Sequence, residues 1–180
     1  MTFLPDSTGG NAALTLSNVD VANDGQYDCP TSDVLGFYSS NNTDTTMSDV
    51  SFTGCANRHL SYRGTNTSLV MERILLNNGK AAADGCIQIS INGGSAQLTD
   101  WTVLYSQTAT TGVLSFKFIQ YTTAVLENFR LENNAAVNGS GAILVSSQNF
   151  STTTLRNMTF LGNVVTGDNS VKNDGGAMEA

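Results

Sequence analysis

The side chains best suited to chemistry in this sequence are few and widely spaced. His59, the single histidine, lies in the segment Asn57-Arg-His-Leu-Ser-Tyr-Arg63, and no second histidine is available to share a metal ion. A metal site of the usual composition needs several such ligands, and a hydrolase of the serine type commonly presents its nucleophile in a Gly-x-Ser-x-Gly turn, which the sequence lacks. We therefore predict that His59 is a surface histidine beside a turn, without a catalytic role.

Acidic residues could support polysaccharide cleavage, which uses paired carboxylates or a Ca²⁺ site beside a basic residue. The segment Asn42-Thr-Asp44 resembles one short element of the polygalacturonase pattern, but the Asp-Asp, Gly-His-Gly and Arg-Ile-Lys elements that accompany it are missing. Asp24, Asp84 and Asp174 each precede a glycine, a pairing that turn chemistry explains. The sequence thus predicts no catalytic residue, no metal ligand and no cofactor.

Cysteines and asparagines are the candidates for covalent modification. Three cysteines are too few for a disulfide scaffold, and an odd number leaves at least one unpaired. Two alternatives stay open: buried free thiols, or one disulfide between neighbouring repeats, for which Cys29 and Cys55 are the candidates. The Asn-x-Ser/Thr pattern marks either glycosylation sites of a secreted protein or unmodified turn residues. Its asparagines are Asn41, Asn66, Asn138, Asn149 and Asn157.

The charge of the chain excludes some classes of partner. With 8 basic and 15 acidic residues, the formal net charge is −7, and no cluster of Lys or Arg occurs. Nucleic acids and anionic membranes bind through basic patches, so we expect neither as a partner. No apolar run approaches the roughly 20 residues of a spanning helix, and we expect no membrane insertion. The N-terminal residues lack the basic and apolar regions of a signal peptide, which favours a piece of a longer precursor or a chain without an encoded export signal.

The composition and an internal repeat indicate how the chain is organised. Its 22 Thr, 18 Ser and 19 Asn make up about a third of the residues and disfavour helix, because they compete for backbone hydrogen bonds. A pattern with apolar residues at relative positions 0, 3 and 5 recurs six times, with starts 31, 24, 27, 28 and 29 residues apart. Its apolar residues are Leu16, Val19, Val21; Met47, Val50, Phe52; Met71, Ile74, Leu76; Leu98, Trp101, Val103; Leu126, Phe129, Leu131; and Leu155, Met158, Phe160.

Each repeat has the features of one rung of a solenoid. Positions 3 and 5 share one face of a strand, and the polar residue at position 2, usually Asn or Asp, suits a corner because these residues tolerate a left-handed backbone. Stacked rungs would bury the 18 apolar residues as a core ladder. Asparagines seven or eight residues after a start, Asn23, Asn78, Asn133 and Asn163, would superpose as a second ladder of amides.

The predicted fold is therefore all-β: a right-handed parallel β-helix of about six rungs of about 28 residues each. A β-sandwich with evenly spaced strands is the alternative, but it does not require the same residue phase in every unit. We expect residues 1–180 to form a single β-helix segment. The last residues read as a strand without a cap, which favours a part of a larger protein or a member of a stacked assembly.

The repeat resembles the right-handed parallel β-helix of the pectin-lyase-like superfamily. Within it, Gly175-Gly-Ala-Met178, Gly141-Ala-Ile-Leu144 and Phe160-Leu-Gly-Asn163 are most similar to the repeats of polymorphic outer membrane proteins, which alternate Gly-Gly-Ala-Ile/Leu/Val with Phe-x-x-Asn. The resemblance is carried mainly by residues 70–180. It implies a passenger-like domain that is secreted or exposed on a cell surface and serves adhesion or structure.

We expect a non-enzymatic extracellular or cell-surface module with a structural or adhesive function, which could assemble end to end into a filament. Its expected partners are other copies or other β-helix segments at open ends, or surface glycans or proteins, which Tyr105 and Tyr121 could contact. The alternative is a fragment of a carbohydrate-active β-helix enzyme of the polysaccharide lyase or hydrolase type. Two carboxylates within about 10 Å on one outer sheet, beside a groove, would favour that alternative.

Overall fold

The structure is a computed structural model that describes residues 2–3, 13–22, 33–40, 43–54, 58–81, 85–109, 112–137, 139–166 and 178–179. Every regular element in these ranges is a β-strand. The strands are β1 (Thr2–Phe3), β2 (Ala13–Ala22), β3 (Asp33–Ser40), β4 (Asp44–Thr53), β5 (Arg58–Asn77), β6 (Lys80–Ala81), β7 (Ile87–Leu104), β8 (Gln107–Thr108), β9 (Leu114–Glu132), β10 (Ala135–Ala136), β11 (Ile143–Ser147), β12 (Thr152–Leu161), β13 (Val164–Val165) and β14 (Met178–Glu179).

The strands stack in parallel as successive turns of one solenoid. The larger sheet has the order β1-β3-β5-β7-β9-β11-β14, and β2, β4 and β12 continue it on a neighbouring face through the pairs β2–β4, β4–β5 and β9–β12. The second sheet has the order β6-β8-β10-β13. The chain is thus a parallel β-solenoid of about five turns, and the prediction of an all-β parallel β-helix is confirmed, with a rung count close to the expected six.

The strand registers place the six sequence repeats on top of one another. Position 0 forms the column Leu16–Met47–Met71–Leu98–Leu126–Leu155, and positions 3 and 5 form Val19–Val50–Ile74–Trp101–Phe129–Met158 and Val21–Phe52–Leu76–Val103–Leu131–Phe160. Members from the four middle repeats are buried, whereas those from the first and last repeats are half-buried. The hydrophobic core is therefore a continuous column, as the repeat predicted, that ends in partly exposed side chains.

Aromatic packing reinforces the middle of this column. The Trp101 and Phe129 rings stack with centroids 5.3 Å apart, and Phe116 packs edge-on against Trp101 at 5.7 Å. The buried Trp101 Nε1 donates a hydrogen bond of 3.4 Å to the carbonyl of Met71, so its polar group is satisfied. Stacks of this kind stabilise a core by about 0.5–1.5 kcal/mol per pair beyond the burial of their area.

Gly112 lies at a point where successive turns approach closely. A Cβ on Gly112 would lie 2.6 Å from Ser140 Oγ and 2.8 Å from the backbone nitrogen of Leu144 in the next turn. Neither distance is compatible with a side chain. This close approach is a physical reason for the glycine ahead of the apolar strand segment that begins at Leu114.

Candidate functional site

The most regular polar feature of the surface is a column of corner residues, one from each repeat. We call this the corner ladder; its members are Asn18, Asp49, Arg73, Asp100, Asn128 and Asn157. All six have left-handed backbones, with φ between 50° and 60°. The side chain at this position points outward between two strand segments, so the corner predicted at position 2 is present in every repeat, including the one that carries an arginine.

Hydrogen bonds in the corner ladder run in one direction. Asn157 Nδ2 donates to Asn128 Oδ1 at 3.0 Å, and Asn128 Nδ2 donates to Asp100 Oδ1 at 2.8 Å. Two turns earlier, Arg73 donates from Nε and a terminal nitrogen to the Asp49 carboxylate at 2.6 and 2.9 Å. In each pair the later turn donates and the earlier turn accepts, so the column has a polarity.

Arg73 and Asp49 in the corner ladder keep their charges near neutral pH, which disfavours acid–base chemistry at this position. The hydrogen bond from Arg73 holds the pKa of Asp49 below its ordinary value, and the bonds to Asp49 and Glu72 raise the pKa of Arg73. Arg73 also contacts Glu72 at 3.0 Å, so the two carboxylates lie on either side of one guanidinium. A general acid near neutral pH needs a raised pKa, which this arrangement opposes at Asp49.

A second ladder lies inside the solenoid, at the next corner. Its members, which we call the inner ladder, are Gly79, Ser106, Asn134 and Asn163. The backbone N–H of each of the first three members donates to a side-chain oxygen of the member in the following turn. The bonds run from Gly79 to Ser106 Oγ, from Ser106 to Asn134 Oδ1 and from Asn134 to Asn163 Oδ1, each at 3.0 Å. Asn134 Nδ2 also donates to the carbonyl of Val103 at 3.0 Å and to Asn163 Oδ1 at 2.9 Å.

The inner ladder corrects the predicted ladder of Asn23, Asn78, Asn133 and Asn163. Asn163 belongs to it, but Asn134 occupies the place expected for Asn133. Asn78 and Asn133 precede the inner members, with exposed side chains and left-handed backbones at φ 58° and 53°, and Asn23 lies outside the described residues. The prediction merged two adjacent columns, seven and eight residues after each start; a polar residue at the eighth position was the signal for Ser106 and Asn134.

The prediction of an exposed His59 is wrong, because the ring is only 1% exposed. It packs edge-on against Phe52 with centroids 5.7 Å apart, and its Nε2 lies 3.1 Å from the carbonyl of Gly54. A Cβ on Gly79 would lie 3.0 Å from His59 Cε1 and 3.1 Å from Cys86 Sγ, so imidazole and thiol border the space that a glycine leaves in the inner ladder.

The buried histidine and cysteine are held neutral. Desolvation lowers the pKa of His59 to about 4 and raises the pKa of Cys86 to about 12. His59 Nδ1 is buried and, among the residues that the structure describes, has no hydrogen-bond partner, which fits a neutral ring that donates from Nε2. A nucleophilic cysteine needs a lowered pKa and a cationic neighbour, so this pair favours packing over catalysis.

The two most exposed large apolar side chains among the described residues stack on one corner. Tyr121 is 72% exposed and Phe150, one turn later, is 83% exposed; their centroids are 5.5 Å apart and their planes differ by 11°. Both residues have left-handed backbones, at φ 60° and 64°, which is uncommon for bulky side chains. Tyr105, considered with Tyr121 as a partner patch, is also exposed but belongs to the corner that carries Asn78 and Asn133.

The candidate modification sites have different surroundings. Asn66 and Asn149 are exposed at corners, and Asn157 is exposed but donates to Asn128 in the corner ladder. Asn41 and Asn138 lie outside the described residues, as do both members of the candidate disulfide, Cys29 and Cys55. Cys86 is a buried free thiol.

Neither a metal-binding cluster nor a membrane-spanning helix occurs in the described ranges. Within those ranges, no group of three or more His, Cys, Asp or Glu residues is placed to hold a metal ion. The same ranges contain no helix that is long and apolar enough to cross a membrane.

Comparison of the chain with models of protein families, with curated protein sequences and with solved structures gives no match. The family resemblance of the repeat therefore depends on its motifs alone.

Proposed function

We propose that the chain is a non-enzymatic structural and adhesive module of the cell surface or the extracellular space. In this role the solenoid is a stiff spacer that keeps the side chains on its outer faces in a fixed arrangement. The observation that carries this proposal is the core column, which is continuous through the stacked repeats, together with the side-chain hydrogen bonds of the two polar ladders, which join several pairs of neighbouring turns.

The environments of the reactive groups support a role without catalysis. His59 and Cys86 are buried and neutral, and the exposed Asp49 is bound to Arg73. Exposed aromatic rings are a common contact for sugars and for proteins, so the Tyr121–Phe150 pair supports the adhesive part of the proposal. Its partners would be surface glycans or proteins, and other copies or other β-helix segments would join through the ends.

The motifs support a finer assignment as well. Gly141-Ala-Ile-Leu144 and Phe160-Leu-Gly-Asn163 favour a member of the pectin-lyase-like superfamily with repeats of the polymorphic outer membrane protein type. Such a protein would be secreted or surface-exposed. Treatment of intact source cells with trypsin should then release peptides of this chain, whereas peptides that appear only after lysis would contradict the location.

The direct test of function combines binding and turnover on one set of polysaccharides. We expect purified protein to release no reducing ends and no unsaturated products from neutral or acidic polysaccharides, and to retain at least one of them by binding. Replacement of both Tyr121 and Phe150 by serine should weaken that binding, while Leu161→Ser, which changes another exposed apolar residue, should not. Binding that is unchanged in the double variant would contradict the adhesive role of the ring pair.

One observation favours a second candidate function, that of a fragment of a carbohydrate-active enzyme. Asp49 and Glu72 share Arg73 on one outer corner, so their carboxylates are close together. Product formation that is lost in both Asp49→Asn and Glu72→Gln, but kept in the Tyr121/Phe150 variant, would favour the enzyme and overturn the proposed module.

A further inference from the structure

Among the described strands, β2 and β12 are the outermost two on the neighbouring face of the solenoid, and they have equal lengths. Strand β2 pairs with β4, and strand β12 pairs with β9; in the described part of the chain neither has a second strand partner. Each strand has ten residues. Because each pairs with a described strand on one side only, its other side presents an edge of main-chain N–H and C=O groups. An edge of this kind is a template for a further parallel strand.

The apolar side chains of these two strands belong to the same three columns. Leu16 and Val19 in β2, and Leu155 and Met158 in β12, are half-buried, while the column members between them are buried. At the internal positions of the same columns, side chains with a turn on both sides are buried. A further turn with the same apolar pattern, added at either end, would therefore extend the core with the same packing that the internal turns use.

The backbone shapes of the two strands also match. Asn18 interrupts β2 at φ 54° and Asn157 interrupts β12 at φ 50°, each at the sixth residue of its strand. All internal neighbours on this face pair around the same left-handed kink, with the kinked residues aligned. A strand without that kink would lose register at the corner, so the edges select for a strand of this kind.

The polarity of the corner ladder distinguishes head-to-tail from other arrangements. Asn157 uses its Nδ2 as a donor toward the preceding turn, and its Oδ1 is the atom that a following turn would need as an acceptor. Asn18 supplies a side-chain N–H at the first turn, in the place from which Arg73 and Asn128 donate to the turns before them. The last turn therefore offers an acceptor where the first turn offers a donor.

We propose that a second copy of this chain adds its strand β2 in parallel to strand β12, in the register that the internal turns use. Leu155 then pairs with Leu16, Met158 with Val19 and Phe160 with Val21. The register also brings no like charges together, since Arg156 faces Ser17 and Asp20 faces Thr159. This inference rests on the proposed structural module and names its partner. The contact is heterologous, so repetition gives an open filament or a ring.

When a second copy binds, its strand β1 would replace strand β14 of the first copy at the edge of the larger sheet. Strand β14 pairs with Ile143 and Leu144 of β11, and in the internal register β1 of the arriving copy would pair with Leu144 and Val145, so the two strands overlap at Leu144. Because β1 and β14 each contribute two residue pairs, the exchange leaves the number of residue pairs at this edge of β11 unchanged. Strand β14 is thus a competitor of the second copy, and Glu179→Pro, which removes a main-chain donor, should strengthen association.

The test uses sedimentation velocity of the full chain across a wide concentration range, with circular dichroism to establish that each variant is folded. Wild-type protein should associate with increasing concentration. Val19→Glu blocks the first-turn end and Met158→Glu blocks the last-turn end, so each variant alone should stay monomeric. An equimolar mixture should form a dimer and nothing larger, because one free first-turn end meets one free last-turn end.

A milder variant keeps the inference testable if a charged edge does not fold. Asn18→Asp preserves a residue type that two other positions of the corner ladder carry, but it removes the donor and should weaken association about tenfold. Folded wild-type protein that is monomeric at every concentration, or a blocked variant that still dimerises alone, would overturn the inference. Neither result would overturn the non-enzymatic, glycan- or protein-binding role in the proposed function, which is contradicted instead by polysaccharide turnover.

Discussion

The buried His59 predicts a specific dependence of stability on pH. Burial lowers its pKa from the ordinary 6.5 to about 4 in the folded chain. Between these values the unfolded chain binds a proton that the folded chain does not, so the free energy of unfolding falls as the pH decreases from 6.5 toward 4. At about 1.4 kcal/mol per pKa unit, the loss is about 2 kcal/mol by pH 5 and about 3 kcal/mol by pH 4.

The measurement is urea unfolding followed by the fluorescence of Trp101, the single tryptophan, between pH 7 and pH 5. His59→Gln is the matched control, because its amide can still donate to the Gly54 carbonyl but does not titrate. Its free energy of unfolding should be flat over this window, since the lowered pKa values of Asp49 and Glu132 act at lower pH. Equal pH slopes in both proteins, or an NMR titration of His59 near pH 6.5, would refute the burial.

Three further substitutions test the packing. Leu131→Asp places a charge in the core column and should abolish the folded circular dichroism spectrum, whereas Leu161→Asp, at an exposed position, should leave it intact. Asn134→Ala removes three hydrogen bonds of the inner ladder and should lower the free energy of unfolding by about 3 kcal/mol in urea titration, against less than about 0.5 kcal/mol for Asn133→Gly. Gly112→Ala inserts a methyl group between two backbones and should cost about 2 kcal/mol, seen as a lower Tm.

Much of the fold could be predicted because every turn of a solenoid has the same local backbone geometry and the same pattern of buried positions. The spacing of apolar residues at positions 0, 3 and 5 is set by the geometry of one kinked strand, and stacking imposes it on every turn. The polar corner at position 2 was predictable for the same reason. Arg73 is the exception in residue type; its left-handed backbone accompanies a two-point hydrogen bond to Asp49 from the preceding turn, a contact that spacing alone does not reveal.

The side chains of the second corner were harder to predict. Two adjacent residues occupy it, one exposed with a left-handed backbone and one turned inward, and asparagine occurs at both positions. Sequence alone does not say which of Asn133 and Asn134 points inside. His59 was missed because its neighbours Asn57 and Arg58 are polar; the space that it fills is created by Gly79, twenty residues later in the chain.

Successive repeats stack in one parallel register, and an engineered disulfide measures this register most directly. Thr102 pairs with Arg130 across adjacent turns, while Glu132 lies two residues along the same outer face. With Cys29 and Cys55 replaced by serine, Thr102→Cys with Arg130→Cys should oxidise readily to an intrachain disulfide, because paired parallel strands lie about 4.8 Å apart. Thr102→Cys with Glu132→Cys should stay largely reduced. Equal oxidation of the two pairs, or preference for the second, would contradict the stacked register.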